Sequence, residues 1–198
     1  MEFSSLLART DLGDRQKTVL GAAFTTFGHY SYARTTMDDL AEASGISRTA
    51  LYKIYRNKEH IFRAVCECIH SVALEDASRA LSGTSPFAET LADAVIARYR
   101  VLLNVGNAAA HADEMAELYL SLAGDLATKF EADFRVMILA AINEAIASNR
   151  LTLPPSIPSA ETFADLVGMS VNGIKKYAGS ITAFEDLARH LVLGLARP

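Results

Sequence analysis

With 198 residues, 51% of them apolar and 21% charged, the chain can form one or two domains with a sizeable core and is no disordered polymer. A formal net charge of −4 excludes a globally basic coat for nucleic acid, but the charge is uneven. Residues 1–63 carry nine cations and seven carboxylates, a balance of +2, and the remainder carries ten and sixteen, a balance of −6.

Residues 1–13 have no strong periodicity and read as a loosely held arm. Asp14 is a candidate cap for a first helix reaching about His29, with Leu20, Ala23, Phe24 and Phe27 on one apolar stripe. Thr36 and Asp39 form a capping-box pattern ahead of Met37, Leu40 and Ala41, which share a face. Gly45 suits a left-handed helix end, and Ser47 can cap the next helix almost at once. Two short helices joined by a glycine turn make a helix-turn-helix. On the second helix Ala50, Leu51, Ile54 and Tyr55 share the packing face. Arg48, Thr49, Tyr52, Lys53 and Arg56 share the other, a set of cations, hydroxyls and a methyl suited to phosphates and base edges. Asn57 reads as a third cap, with Lys58 in the following first turn.

The residues Ala22-Ala23-Phe24, Phe27, Thr35-Thr36, Asp39-Leu40-Ala41, Ala43, Gly45-Ile46-Ser47, Leu51-Tyr52 and Asn57-Lys58-Glu59 together resemble the N-terminal domain of TetR-family transcriptional regulators, over about a quarter of the chain. The resemblance implies a DNA-binding regulator, in most cases a repressor, that grips a near-palindromic double-stranded operator as a homodimer and is released by a small apolar ligand. Thr36, Ser47, Tyr52, Lys53 and Lys58 are then expected at the DNA backbone, and Arg48 and Thr49 at base edges. Two positions depart from the family pattern. Ser31 stands where a glycine usually precedes an aromatic residue, and Ile54 stands where a histidine is frequent.

Beyond this, Lys58 to about Leu81 reads as a long lever helix of roughly 33 Å. Ser85-Pro86 opens a helix to about Leu103, with a break expected over residues 104–107. One helix is expected from His111 to about Leu122 and another from Gly124 or Asp125 to Ser148. After a proline-rich loop, Ser159 caps a helix to about Tyr177, and Thr182 with Glu185 forms a capping box opening the last helix. No strand candidate or internal repeat is found. The expected architecture is therefore all-α, about nine helices, with a three-helix DNA-binding domain at residues 1–57 and a ligand-binding and dimerisation bundle at 58–198.

Tyr99, Asn104, His111, Met115, Tyr119, Phe134, Met137, Met169 and Asn172 are candidates for lining a ligand site, with core packing the plainer reading for each. In the last two helices Leu166, Leu187, Leu191 and Leu195 can face either a second subunit or the chain's own core. Glu67 and His70 spell an E-x-x-H spacing that would need a second copy to bind metal, and the pair is expected to face solvent on the lever helix. Cys66 and Cys68, two apart on a helix, point nearly opposite ways, so reduced thiols are expected. No metal, cofactor, enzymatic activity or membrane span is expected, and the location is read as cytoplasmic. A body that binds a protein partner, or a metal-binding bundle enzyme, are the alternatives.

Overall fold

A computed structural model describes residues 3–107 and 112–196, with side chains for 3–105 and 117–196. Among these residues there are nine helices: α1 (Phe3–Leu7), α2 (Asp14–Tyr30), α3 (Met37–Ala43), α4 (Arg48–Ile54), α5 (Lys58–Leu81), α6 (Phe87–Asn107), α7 (Ala112–Ala147), α8 (Ala160–Tyr177) and α9 (Ile181–Leu195). The chain divides into two compact units, Met1–Val72 with Val101–Thr128, and Ala73–Arg100 with Lys129–Pro198. The boundaries between these units follow residues 72, 100 and 128, and α5 starts inside the first unit.

In the first unit, the core joins Leu20, Ala23 and Phe27 of α2, Leu40 and Ala41 of α3, Leu51 of α4, and Ile61, Phe62 and Val65 of α5, all buried. The expected loose arm is instead anchored. Phe3, Leu6 and Leu7 of α1 are buried, and Phe3 stacks on Phe24 with ring centroids 4.3 Å apart. Three apolar side chains in five residues outweigh the missing long-range periodicity. Asp14 is the first residue of α2 rather than its cap. The Gly13 amide donates to the Gln16 side chain at 3.2 Å in its place.

In the second unit, α6 contributes Phe87, Leu91, Val95 and Tyr99, and α7 contributes Phe130, Phe134, Ile138 and Ile142. Phe163, Val167 and Val171 of α8 and Phe184, Ala188 and Val192 of α9 close this core. α6 runs on through Gly106 to Asn107, so the expected break there is absent; one glycine costs a helix only about 1 kcal/mol. The break before Gly124 is real. Ala123 leaves helical geometry at φ −139°, ψ 16°, and kinks α7. The last helix begins earlier than expected. Ser180, not Thr182, is its cap and accepts from the Ala183 amide at 3.1 Å. Glu185, freed of any capping role, pairs with Arg100 at 2.6 Å.

Candidate functional site

The head is built by local hydrogen bonding. Thr36 accepts from the Asp39 amide at 3.2 Å, while the Thr36 amide donates to Asp39 Oδ2 at 2.8 Å. Those bonds, the backbone one first, hold the Asp39 carboxyl below its ordinary range. α3 ends in a Schellman turn. Ile46 N–H donates to Ala41 O at 3.1 Å and Gly45 N–H to Glu42 O at 3.0 Å, with Gly45 at φ +66°. Space around Gly45 is open, so the positive φ alone argues for glycine there. Ser47 then caps α4, accepting from the Ala50 amide at 3.2 Å.

This turn buries Leu51 and leaves Arg48, Thr49, Tyr52 and Lys53 of α4 exposed along one side. Thr36 and Ser47 are exposed at the starts of α3 and α4. Arg48 Nη1 pairs with Asp38 Oδ2 at 2.8 Å, and its guanidinium lies 5.6 Å from the Tyr52 ring. Both partners of that ion pair are about 60% exposed, so it is weak and easily exchanged for a phosphate or base. Asp38, ten residues upstream, was not singled out from the sequence, since only the packing of α3 on α4 brings it near.

Lys58 occupies a different place from the one expected. Its Nζ donates to Tyr32 O at 2.7 Å and Thr35 O at 2.8 Å and sits 4.2 Å from the Tyr32 ring. It ties the start of α5 to the loop before α3 rather than facing outward, and desolvation lowers its pKa. The same loop holds Ser31, whose backbone keeps the positive φ that glycine would normally supply, at φ 69°, ψ 152°. Thr35 Oγ1 donates to Ser31 O at 2.7 Å beneath it. Asn57 caps α5 as expected, accepting from the His60 amide at 2.8 Å.

Elsewhere in the first unit, Arg63 grips the kink in α7. It forks onto Asp125 at 2.7 and 2.6 Å and donates to Leu122 O at 2.5 Å. That fork pushes the Asp125 pKa down to about 2. Tyr119 hydrogen-bonds His70, so His70 is buried and turned away from the exposed Glu67. The solvent-facing Glu67–His70 pair is therefore not formed; the apolar stripe of α5 carries His70 inward. Cys66 and Cys68 are both free and buried, and burial pushes their thiols up to about 12 and about 11.

In the second unit Tyr99, Phe134 and Asn172 meet around Arg98. Arg98 is 1% exposed, and its guanidinium lies 4.4 Å from the Phe134 ring and 5.0 Å from Tyr99. Tyr99 donates to Asn172 Oδ1 at 3.1 Å and to Glu131 Oε1 at 3.4 Å, and burial raises its phenol to about 12. Met137 is half-buried on the same helix, α7. Met169 is instead 66% exposed on α8, which a wall of a buried site cannot be. Tyr119 and Asn104 belong to the first unit, and His111 and the Met115 side chain lie outside the described residues. Arg98 and Glu131 were missed, although Arg98 sits on the apolar stripe of Leu91, Ala94 and Val95 where a cation is out of pattern.

α8 and α9 carry two stripes each. Beside the buried set, Met169, Tyr177 and Leu187 are exposed, and Leu166, Leu191 and Leu195 are half-buried.

A family model described as bacterial regulatory proteins, tetR family, matches residues 19–65. The uncharacterized HTH-type transcriptional regulator YhgD of Bacillus subtilis (strain 168) is 30% identical over 84 residues, 42% of this chain and 44% of that protein. The chain thus spans less than half the length of the curated relatives it matches. Among solved structures, SmeT, the repressor of the Stenotrophomonas maltophilia multidrug efflux pump SmeDEF, superposes with a TM-score of 0.69 at 18% identity, over 90% of this chain and 88% of SmeT. A regulator of the TetR/AcrR family from Thermobifida fusca YX-ER1 gives 0.68 at 20% identity, over 93% and 100%. At such identities these two likenesses are of fold. The helix-turn-helix match, on residues whose caps and turn are formed as that motif requires, leads to one conclusion: residues 19–65 are similar to the DNA-binding head of the tetR family of bacterial regulatory proteins.

Proposed function

We propose that the chain is a homodimeric, cytoplasmic transcriptional repressor that binds a near-palindromic DNA operator and leaves it when a small ligand occupies its body. The observation that carries the reading is α4: a short helix, capped at Ser47, that buries Leu51 and offers Arg48, Thr49, Tyr52 and Lys53 outward. Thr36, Ser47, Tyr52 and Lys53 position the helix on phosphates, and Arg48 and Thr49 read bases. Lys58 acts indirectly, by holding the loop ahead of α3. With so few base contacts a single head is weakly selective, so a second subunit is needed. The outer stripe of Leu166, Leu187, Leu191 and Leu195, flanked by exposed Met169, supplies an apolar face for that twofold contact.

A solved complex of SmeT with triclosan is a precedent for a small ligand in a protein of this fold. Release follows if the ligand prefers the state whose head separation does not suit the operator. The test is selection of bound duplexes from a random pool at stated salt. A symmetric enriched site is expected. Arg48→Ala should relax preference at one base position, at a cost of about 1–3 kcal/mol. An unenriched pool would refute sequence-specific binding.

A further inference from the structure

Arg98 is the out-of-place charge of the second unit. Its Nη2 reaches Glu131 Oε2 at 2.9 Å and Phe130 O at 3.4 Å, while Nε and Nη1 are buried with no acceptor. An arginine has five N–H bonds, and the two unpartnered nitrogens hold three of them. Buried donors are nearly always satisfied, so this edge of the guanidinium calls for acceptors that the described side chains do not provide. The charge is short of a counter-charge as well. Glu131 is 42% exposed and shares its charge with solvent. Lys175 adds a second cation, its Nζ 5.9 Å from the Tyr99 ring. Though Lys175 is exposed as a residue, desolvation and then repulsion from Arg98 push its pKa down. Two cations therefore face one carboxylate. The surroundings are aromatic: Phe134 and Tyr99 flank the guanidinium, and Phe184 lies 5.5 Å from Tyr99.

We propose that Arg98 is an anion anchor, taking the carboxylate of a small organic acid whose apolar body lies against Phe134 and Tyr99. A neutral ligand would satisfy the N–H groups but leave the charge uncompensated; a carboxylate does both. This deepens the ligand-release reading, naming the class of ligand.

The test is calorimetric titration of the full chain with octanoate and benzoate, beside octanol and benzyl alcohol as neutral counterparts. The acids should bind about tenfold or more tightly than the alcohols, the scale of one charge-assisted hydrogen bond. Arg98→Met should abolish that preference. Glu131→Gln should keep or tighten acid binding, because it removes the carboxylate that competes for the guanidinium. That second variant decides the matter should Arg98→Met fail to fold. Equal binding of acid and alcohol, no saturable binding of either acid, or weaker acid binding in Glu131→Gln would each overturn the anchor. Operator affinity is read in the same samples. Arg98-dependent acid binding that leaves it unchanged refutes ligand release but keeps the anchor, and release by the alcohols alone does the reverse.

Discussion

Ser31 allows the sharpest stability test. Its φ of 69° with ψ of 152° lies in a region that only glycine enters without strain, and an L-residue held there costs about 1–3 kcal/mol. Ser31→Gly removes the Cβ that causes the strain. It also gives the unfolded chain more freedom, which offsets about 0.5–1 kcal/mol. The balance is a gain of about 1 kcal/mol, or roughly 2–4 °C in Tm for a chain of this size. Ser31→Ala is the control. It loses the hydroxyl but keeps the Cβ, so it should stay within about 0.5 kcal/mol of the parent. Urea and thermal melts of the three proteins decide. A glycine variant no more stable than the alanine variant would show that the backbone here is not strained.

Lys58→Met leaves Tyr32 O and Thr35 O without their ammonium, and should lower stability by about 1–3 kcal/mol in denaturant melts, while Arg48→Ala leaves it nearly unchanged. The Asp125 carboxyl drops from an ordinary 3.8 to about 2 in the folded chain. Its contribution is therefore complete above about pH 4 and lost as pH falls towards 2. Asp125→Asn should be less stable than the parent at neutral pH and show a shallower loss on acidification, measured by melts across that window. Leu187→Glu with Leu191→Glu puts charge on the outer stripe of α9. Sedimentation should show the parent as a dimer and the variant as a folded single chain. A variant that still dimerises would move the interface elsewhere.

Much of the head was legible before any fold was known. Thr36 with Asp39, Gly45, Ser47 and Asn57 act on backbone groups within one helical turn, so residue type and spacing suffice to place them. The kink before Gly124 and the all-helical body follow from similarly short-range patterns. Where local signals competed, spacing misled: Ser180 and Thr182 both carry a hydroxyl suited to a cap, and it is Ser180 that accepts from the Ala183 amide. The site was less legible. Lys58 finds its acceptors 23 and 26 residues upstream, and Arg48 meets Asp38 across a helix pair.

What the sequence by itself determined, then, is the set of helices, their caps and the glycine turn, because those bonds close within a few residues. Tertiary structure alone decided which charges are exposed and which are enclosed. It turned Lys58 inward, buried His70 and Arg98, and gave the core of α8 and α9 to Phe163, Val167, Val171, Phe184 and Val192, leaving their leucines half-buried or exposed. The physical reason is that a charge's worth depends on its distance to partners and to water, and only packing sets those distances.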